Sequence, residues 1–126
     1  MPGLTLQRIP FTVEADNQLR MLKARTGITP NILCRMGLCM SLEERCAPTI
    51  LPQHFKIGRE INRYTLLGKY DYIIIALLNT RMSLDKSQDA NIDEMFLAHT
   101  NRGIYILSTR IKSTVDIHNL LQLNYQ

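Results

Sequence analysis

The stretch from Pro30 to about Glu44 constrains this chain more than any other. Between Pro30 and Leu42 only Arg35 is charged, and Ile32, Leu33, Cys34, Met36, Leu38, Cys39, Met40 and Leu42 are spread around every side of a helix. Thr29-Pro30 marks the start, with threonine as N-cap and proline at the first helical position. A helix that is apolar all round is buried all round. One chain of 126 residues has difficulty covering every face of it. Burial by a second subunit is the simplest expectation, and wrapping by the rest of the chain is the alternative.

The flanking sequence predicts a mainly helical, compact single domain over 1–126, long enough to bury a core without disulfides or metal. Gly3-Leu4-Thr5-Leu6-Gln7-Arg8-Ile9 alternates apolar and polar residues as a strand does. Pro10 is expected to end it. A single strand cannot stand alone and needs a partner, from this chain or a second subunit. Thr12 is placed to cap a first helix, with Glu14 and Asp16 in the first turn and Arg20, Lys23 and Arg25 towards the end. Gly27 supplies the left-handed stop. Cys46 to Gly58 reads as a loop. A third helix is expected from about Lys69 to Met82, although Ile73–Ile75 would also suit a buried strand. Ser83–Ala90 is a polar connector, and Asn91–Asn101 a fourth helix. Residues 103–107 are ambiguous between helix and strand. Ser113 or Thr114 is placed to cap a last helix through Leu121. The strand–helix–helix start resembles a ribbon-helix-helix module, in which strands of two subunits pair and enter a DNA groove. Thr5 and Gln7 would then face the bases.

Little in the chain points to catalysis. No phosphate loop, nucleophile elbow or dinucleotide fingerprint is present. Cys34, Cys39 and Cys46 lack the close pairing of a structural zinc site, and His54, His99 and His118 are scattered. Asp85, Asp89, Asp93 and Glu94 read as a solvated connector and helix start. The expectation is a non-enzyme without metal or cofactor. Cys34 and Cys39 read as packing residues, and Cys46, leaving the helix beside Arg45, as the most exposed thiol. No signal peptide opens the chain and no apolar run is long enough to span a membrane. A cytoplasmic protein with reduced thiols is expected.

The charge is unevenly placed. Residues 1–69 carry ten Lys/Arg against five Asp/Glu, and residues 70–126 five against six, giving the overall +4. A positive field concentrated in one half is the electrostatic footprint of a polyanion binder. The basic set is Arg8, Arg20, Lys23, Arg25, Arg35, Lys56, Arg59, Arg63 and Lys69. At about 100° per residue, Lys23 and Arg25 bracket the apolar stripe of the first helix and Arg20 points further outward. Part of their role is therefore structural, and Arg63, in a dense motif, reads as a possible hydrogen-bond donor.

Three blocks are distinctive: Leu22-Lys23-Ala24-Arg25-Thr26-Gly27-Ile28-Thr29-Pro30-Asn31-Ile32-Leu33-Cys34-Arg35, Glu60-Ile61-Asn62-Arg63-Tyr64-Thr65-Leu66-Leu67-Gly68-Lys69-Tyr70-Asp71, and Ala98-His99-Thr100-Asn101-Arg102-Gly103-Ile104, followed by Arg110-Ile111-Lys112-Ser113. In this order and spacing they resemble DndE, the small subunit of the bacterial DNA phosphorothioation (Dnd) system. The resemblance implies a helical homo-oligomer, a tetramer, that binds duplex DNA with a preference for nicks. It implies work beside a cysteine desulfurase, a sulfur-transferring reductase-like subunit and an ATPase subunit, replacing a non-bridging backbone oxygen with sulfur. Lys23 and Arg25 match a basic stretch of the family motif. With Arg8 and Arg20 they are the candidate DNA contacts. Lys69 departs from the family, which often has an acidic residue there. The alternatives are a ribbon-helix-helix repressor, a persulfide relay through Cys46 or Cys34, and a scaffold whose basic face meets an acidic subunit.

Overall fold

The computed structural model describes residues 3–112 and 114–124. It is mainly helical, with strand β1 (Arg8–Thr12), helices α1 (Val13–Thr26) and α2 (Pro30–Glu43), and strand β2 (Ile57–Asn62). Helix α3 (Arg63–Leu67) and a 3-10 turn (Gly68–Tyr70) then lead to α4 (Asp71–Leu84), α5 (Ile92–Arg110) and α6 (Thr114–Asn124). The expected mainly α domain with a short N-terminal strand is what forms.

The first helix follows its sequence signals closely. The Ala15 N–H donates to Thr12 Oγ1 at 3.0 Å, capping α1. Gly27, at φ 73°, ends it, and its N–H donates to the Lys23 carbonyl. A left-handed residue of this kind is cheapest as glycine.

The strand differs from the expectation in position and partner. It begins at Arg8 rather than Gly3 and runs through Pro10. It pairs antiparallel with β2 of the same chain, Ile9 against Ile61 and Phe11 against Arg59. The Arg63 N–H donates to the Gln7 carbonyl at 2.9 Å. By alternation, positions 7, 9 and 11 face the partner backbone and position 10 faces the open edge. Pro10 therefore deprives the ladder of no donor, so it does not stop the strand. Ile9 and Phe11 enter the core. The intersubunit pairing of a ribbon-helix-helix start is replaced by pairing inside one chain. Thr5 is exposed, but its polar groups are taken up within the chain: its N–H donates to Asp93 Oδ1 at 2.9 Å and its hydroxyl also bonds that carboxylate. Gln7 is exposed but precedes the strand. β2 itself lies partly within the expected loop 46–58.

Its own chain does not bury helix α2 all round. Leu33, Cys34, Gly37, Leu38 and Ser41 are buried, whereas Ile32 and Cys39 are exposed and Met36, Met40 and Leu42 half-buried. Its buried face lies on α5. At the crossing the backbones touch: a Cβ on Gly37 would lie 2.7 Å from the Gly103 carbonyl carbon, and one on Gly103 would overlap the Gly37 backbone. Residues 103–107, ambiguous in sequence, continue α5 as helix. Asn91 caps that helix by accepting from the Glu94 N–H at 3.1 Å. The third predicted helix starts two residues later than expected, at Asp71, after the separate short α3. The last helix reaches Asn124 rather than Leu121. Its expected cap at Ser113 falls outside the described residues, and so does the side chain of Thr114.

Candidate nucleic-acid interface

The four candidate contacts sit on β1 and α1 and separate into two pairs. Arg8 Nε lies 2.9 Å from Glu60 Oε2 on the neighbouring strand. Arg20 lies 3.2 Å from Asp16, one turn back on α1. Asp16 is itself buried and also accepts from Arg59 Nε at 2.7 Å. Arg8 and Arg20 thus spend charge on carboxylates. Both remain largely exposed, so water screens these pairs and a phosphate can compete. Lys23 and Arg25 are exposed in the last turn of α1, and neither has an ion-pair partner among the described residues.

Several other arginines of the basic half are occupied by the fold. Arg35 donates to the Leu66 carbonyl at 2.6 Å and the Thr65 carbonyl at 3.1 Å, tying α2 to α3. Arg63 forms a two-pronged pair with Asp71, Nε to Oδ2 at 2.9 Å and Nη2 to Oδ1 at 2.8 Å, and donates to the Leu4 carbonyl at 2.7 Å. The structural donor expected at Arg63 is what the fold uses. The cations left for a polyanion are therefore fewer than the composition suggests, and Lys23 and Arg25 stand out among them.

The thiols divide by burial. Cys34 is buried, and desolvation pushes its thiol up to about 12. It is then a neutral, poor nucleophile near pH 7. Cys39 is exposed, contrary to its reading as a packing residue, and its thiol is also raised, by partial desolvation and then by the Glu43 carboxylate. Cys46 is exposed as expected. No group of three or more His, Cys, Asp or Glu among the described residues could hold a metal ion. Among the same residues no helix is long and apolar enough to cross a membrane.

A buried polar network that the scattered histidines did not suggest joins α2 to α5. Arg102 Nε donates to Ser41 Oγ at 2.8 Å, Nη2 to the Ser41 carbonyl and Nη1 to the Cys46 carbonyl. Ser41 Oγ also lies 2.9 Å from His99 Nδ1. His99 Nε2 is buried with no hydrogen-bond partner among the described residues. Burial first, then the Arg102 guanidinium, pushes the imidazole down to about 4. Its folded value lies below the unfolded one of about 6.5. The stabilising preference for neutral His99 is therefore complete above about pH 6.5 and is lost as pH falls through 4. Urea unfolding across that window should show a loss approaching about 3 kcal/mol from this group. An NMR titration placing the His99 ring near 6.5 would contradict it.

The comparisons with known proteins agree with this fold. The family model for the DNA sulphur modification protein DndE matches residues 8–114. The chain belongs to the DndE family. The resemblance carried by the three sequence blocks thus extends over most of the chain. The crystal structure of DndE from Escherichia coli B7A, described as involved in DNA phosphorothioation modification, is similar with a TM-score of 0.64 at 22% identity, covering 83% of this chain and 99% of that one. A double glycine-to-lysine mutant of DndE gives a TM-score of 0.60 at 22% identity, covering 82% and 99%. At that identity the likeness to these DndE structures establishes the fold. Among curated proteins no match is found.

Proposed function

We propose that this chain is a non-catalytic DNA-binding subunit of the DNA phosphorothioation machinery, acting in the cytoplasm on intact or nicked duplex beside the sulfur-transferring reductase-like and ATPase subunits. The observation that carries the reading is the pair Lys23 and Arg25, exposed and without carboxylate partners among the described residues at the end of α1, in a member of the DndE family. Arg8 and Arg20 add charge after exchanging their carboxylates for phosphate. Such contacts position DNA without reading its sequence. One such patch is modest, so affinity arises from repetition in a homo-oligomer, a tetramer. Support for self-association comes from the apolar surface on α2 and α4, where Ile73 is 60% and Leu77 46% exposed beside Ile32 and Cys39. A continuous apolar surface of this kind is commonly an interface. The pairing of β1 within its own chain disfavours the repressor reading.

Charge reversal tests the site. Lys23→Glu with Arg25→Glu should weaken duplex binding at least tenfold at low salt. The slope of log affinity against log salt should fall by about one for each phosphate that is no longer neutralised. Fluorescence anisotropy with a labelled duplex reads both quantities. Undiminished affinity in the double variant would remove α1 from the interface.

A further inference from the structure

We propose that the junction of α3 and α4 carries a second nucleic-acid site, which stacks unpaired bases of single-stranded DNA on Tyr64 and Tyr72 and seats a neighbouring phosphate at Lys69. Tyr64 is 64% and Tyr72 89% exposed. Aromatic rings ordinarily contribute large buried areas, and two exposed on one rim offer flat faces for a ligand to cover. Both line an open cavity of about 640 Å³ together with Lys69, Gly68 and Ile75. That volume is in the range of small-ligand sites. The Arg63–Asp71 pair also lines it, and its two charges cancel. Among the described residues, the net charge of the lining therefore comes from Lys69. Beside it, Tyr70 has Lys69 Nζ 5.4 Å and the Arg35 guanidinium 5.7 Å from its ring centroid.

Phenol faces beside an ammonium group match the two parts of a nucleotide, its flat base and its phosphate. In an intact duplex the base faces are stacked on one another, so these rings suit an unpaired strand. An apolar protein segment is better served by the neighbouring cavity between α2 and α4, where Met36, Cys39, Ile73 and Leu77 meet and Arg35 is the one cation in the lining. The two cavities lie on different sides of α4, because Tyr72 and Ile75 line the first and Ile73 and Leu77 the second.

This inference rests on the reading of the chain as a DNA-binding protein, but it uses residues remote in sequence from Lys23 and Arg25. The chain has five tyrosines and no tryptophan, so its intrinsic emission reports on tyrosine alone. The full chain is titrated with an oligothymidylate of about a dozen nucleotides and, separately, with a blunt duplex. The oligothymidylate should quench tyrosine emission. Tyr64→Ala with Tyr72→Ala should lose on the order of tenfold in oligothymidylate affinity, while duplex affinity stays as in the parent. Tyr64→Phe with Tyr72→Phe, which keeps the rings, should restore binding. Duplex binding without oligothymidylate binding overturns this inference and leaves the α1 interface standing. Binding of neither DNA overturns both. Equal oligothymidylate affinity in the alanine variant, with altered sedimentation, would make the surface a protein contact and overturn the proposal.

Discussion

Replacing Gly103 with alanine should remove much of the protein's margin of stability, at a cost of about 3 kcal/mol or more. In most helices the same change is favourable by about 1 kcal/mol, because glycine is a poor helix former. Here the new methyl group would overlap the Gly37 backbone, and the opposite substitution at Gly37 would sit 2.7 Å from Gly103. Main-chain atoms of two helices cannot yield as a flexible side chain can. The helices must separate, and with them the Leu33, Leu38, Ile104 and Leu107 packing that fills the core on either side. Thermal unfolding should show a fall in Tm of roughly 10 °C or more. Gly37→Ala should have a similar effect. The double variant should cost less than the sum of the two, since the first change already opens the crossing.

Arg63→Ala should be the next most damaging change. The guanidinium meets both oxygens of Asp71 and the Leu4 carbonyl, and the side chains of Arg63 and Asp71 are only 13% and 20% exposed. Removing it leaves a carboxylate and a carbonyl poorly solvated. The expected loss is about 2–3 kcal/mol, below the full value for a wholly buried pair because some solvent reaches this one. Lysine should not rescue it, because one ammonium cannot reproduce the planar fork. Asp71→Asn with Arg63→Met should recover part of the loss, since neither charge is then left without its partner. Urea midpoints of the four proteins check this series. Equal midpoints for Arg63→Ala and the parent would show that the pair is dispensable.

What the sequence disclosed depended on how local each cause was. Thr12, Gly27 and Asn91 act on residues within four positions, and the helix ends they mark form where the sequence places them. Strand β2 had no such signal. Ile57-Gly58-Arg59-Glu60-Ile61-Asn62 lacks regular alternation, and its extended form comes from pairing with β1, some fifty residues earlier. The contact of Gly37 with Gly103 was equally invisible, because a glycine inside a helix advertises weakness rather than a crossing. The apolar character of α2 was legible on all its sides, but which side α5 covers was not.

The candidate interface followed the same division. Lys23 and Arg25 were legible as cations at the end of a helix, which favours positive charge, although their spacing placed them beside the packing stripe and Arg20 further outward. The occupation of Arg35 by the Leu66 carbonyl and of Arg59 by Asp16 was not, since those acceptors are 31 and 43 residues away. His99 gave no sign of its network because Ser41 and Arg102 are joined to it only by the α2–α5 packing.

On the proposed reading, this member of the DndE family binds DNA through backbone contacts. The most direct measurement is competition among intact duplexes of unrelated sequence, nicked duplex and single-stranded DNA for the unmodified protein across a salt series. Backbone gripping predicts that duplexes of unrelated sequence compete equally and that affinity falls steeply and log-linearly with salt. No binding to any DNA at low salt, or binding insensitive to salt, would contradict it.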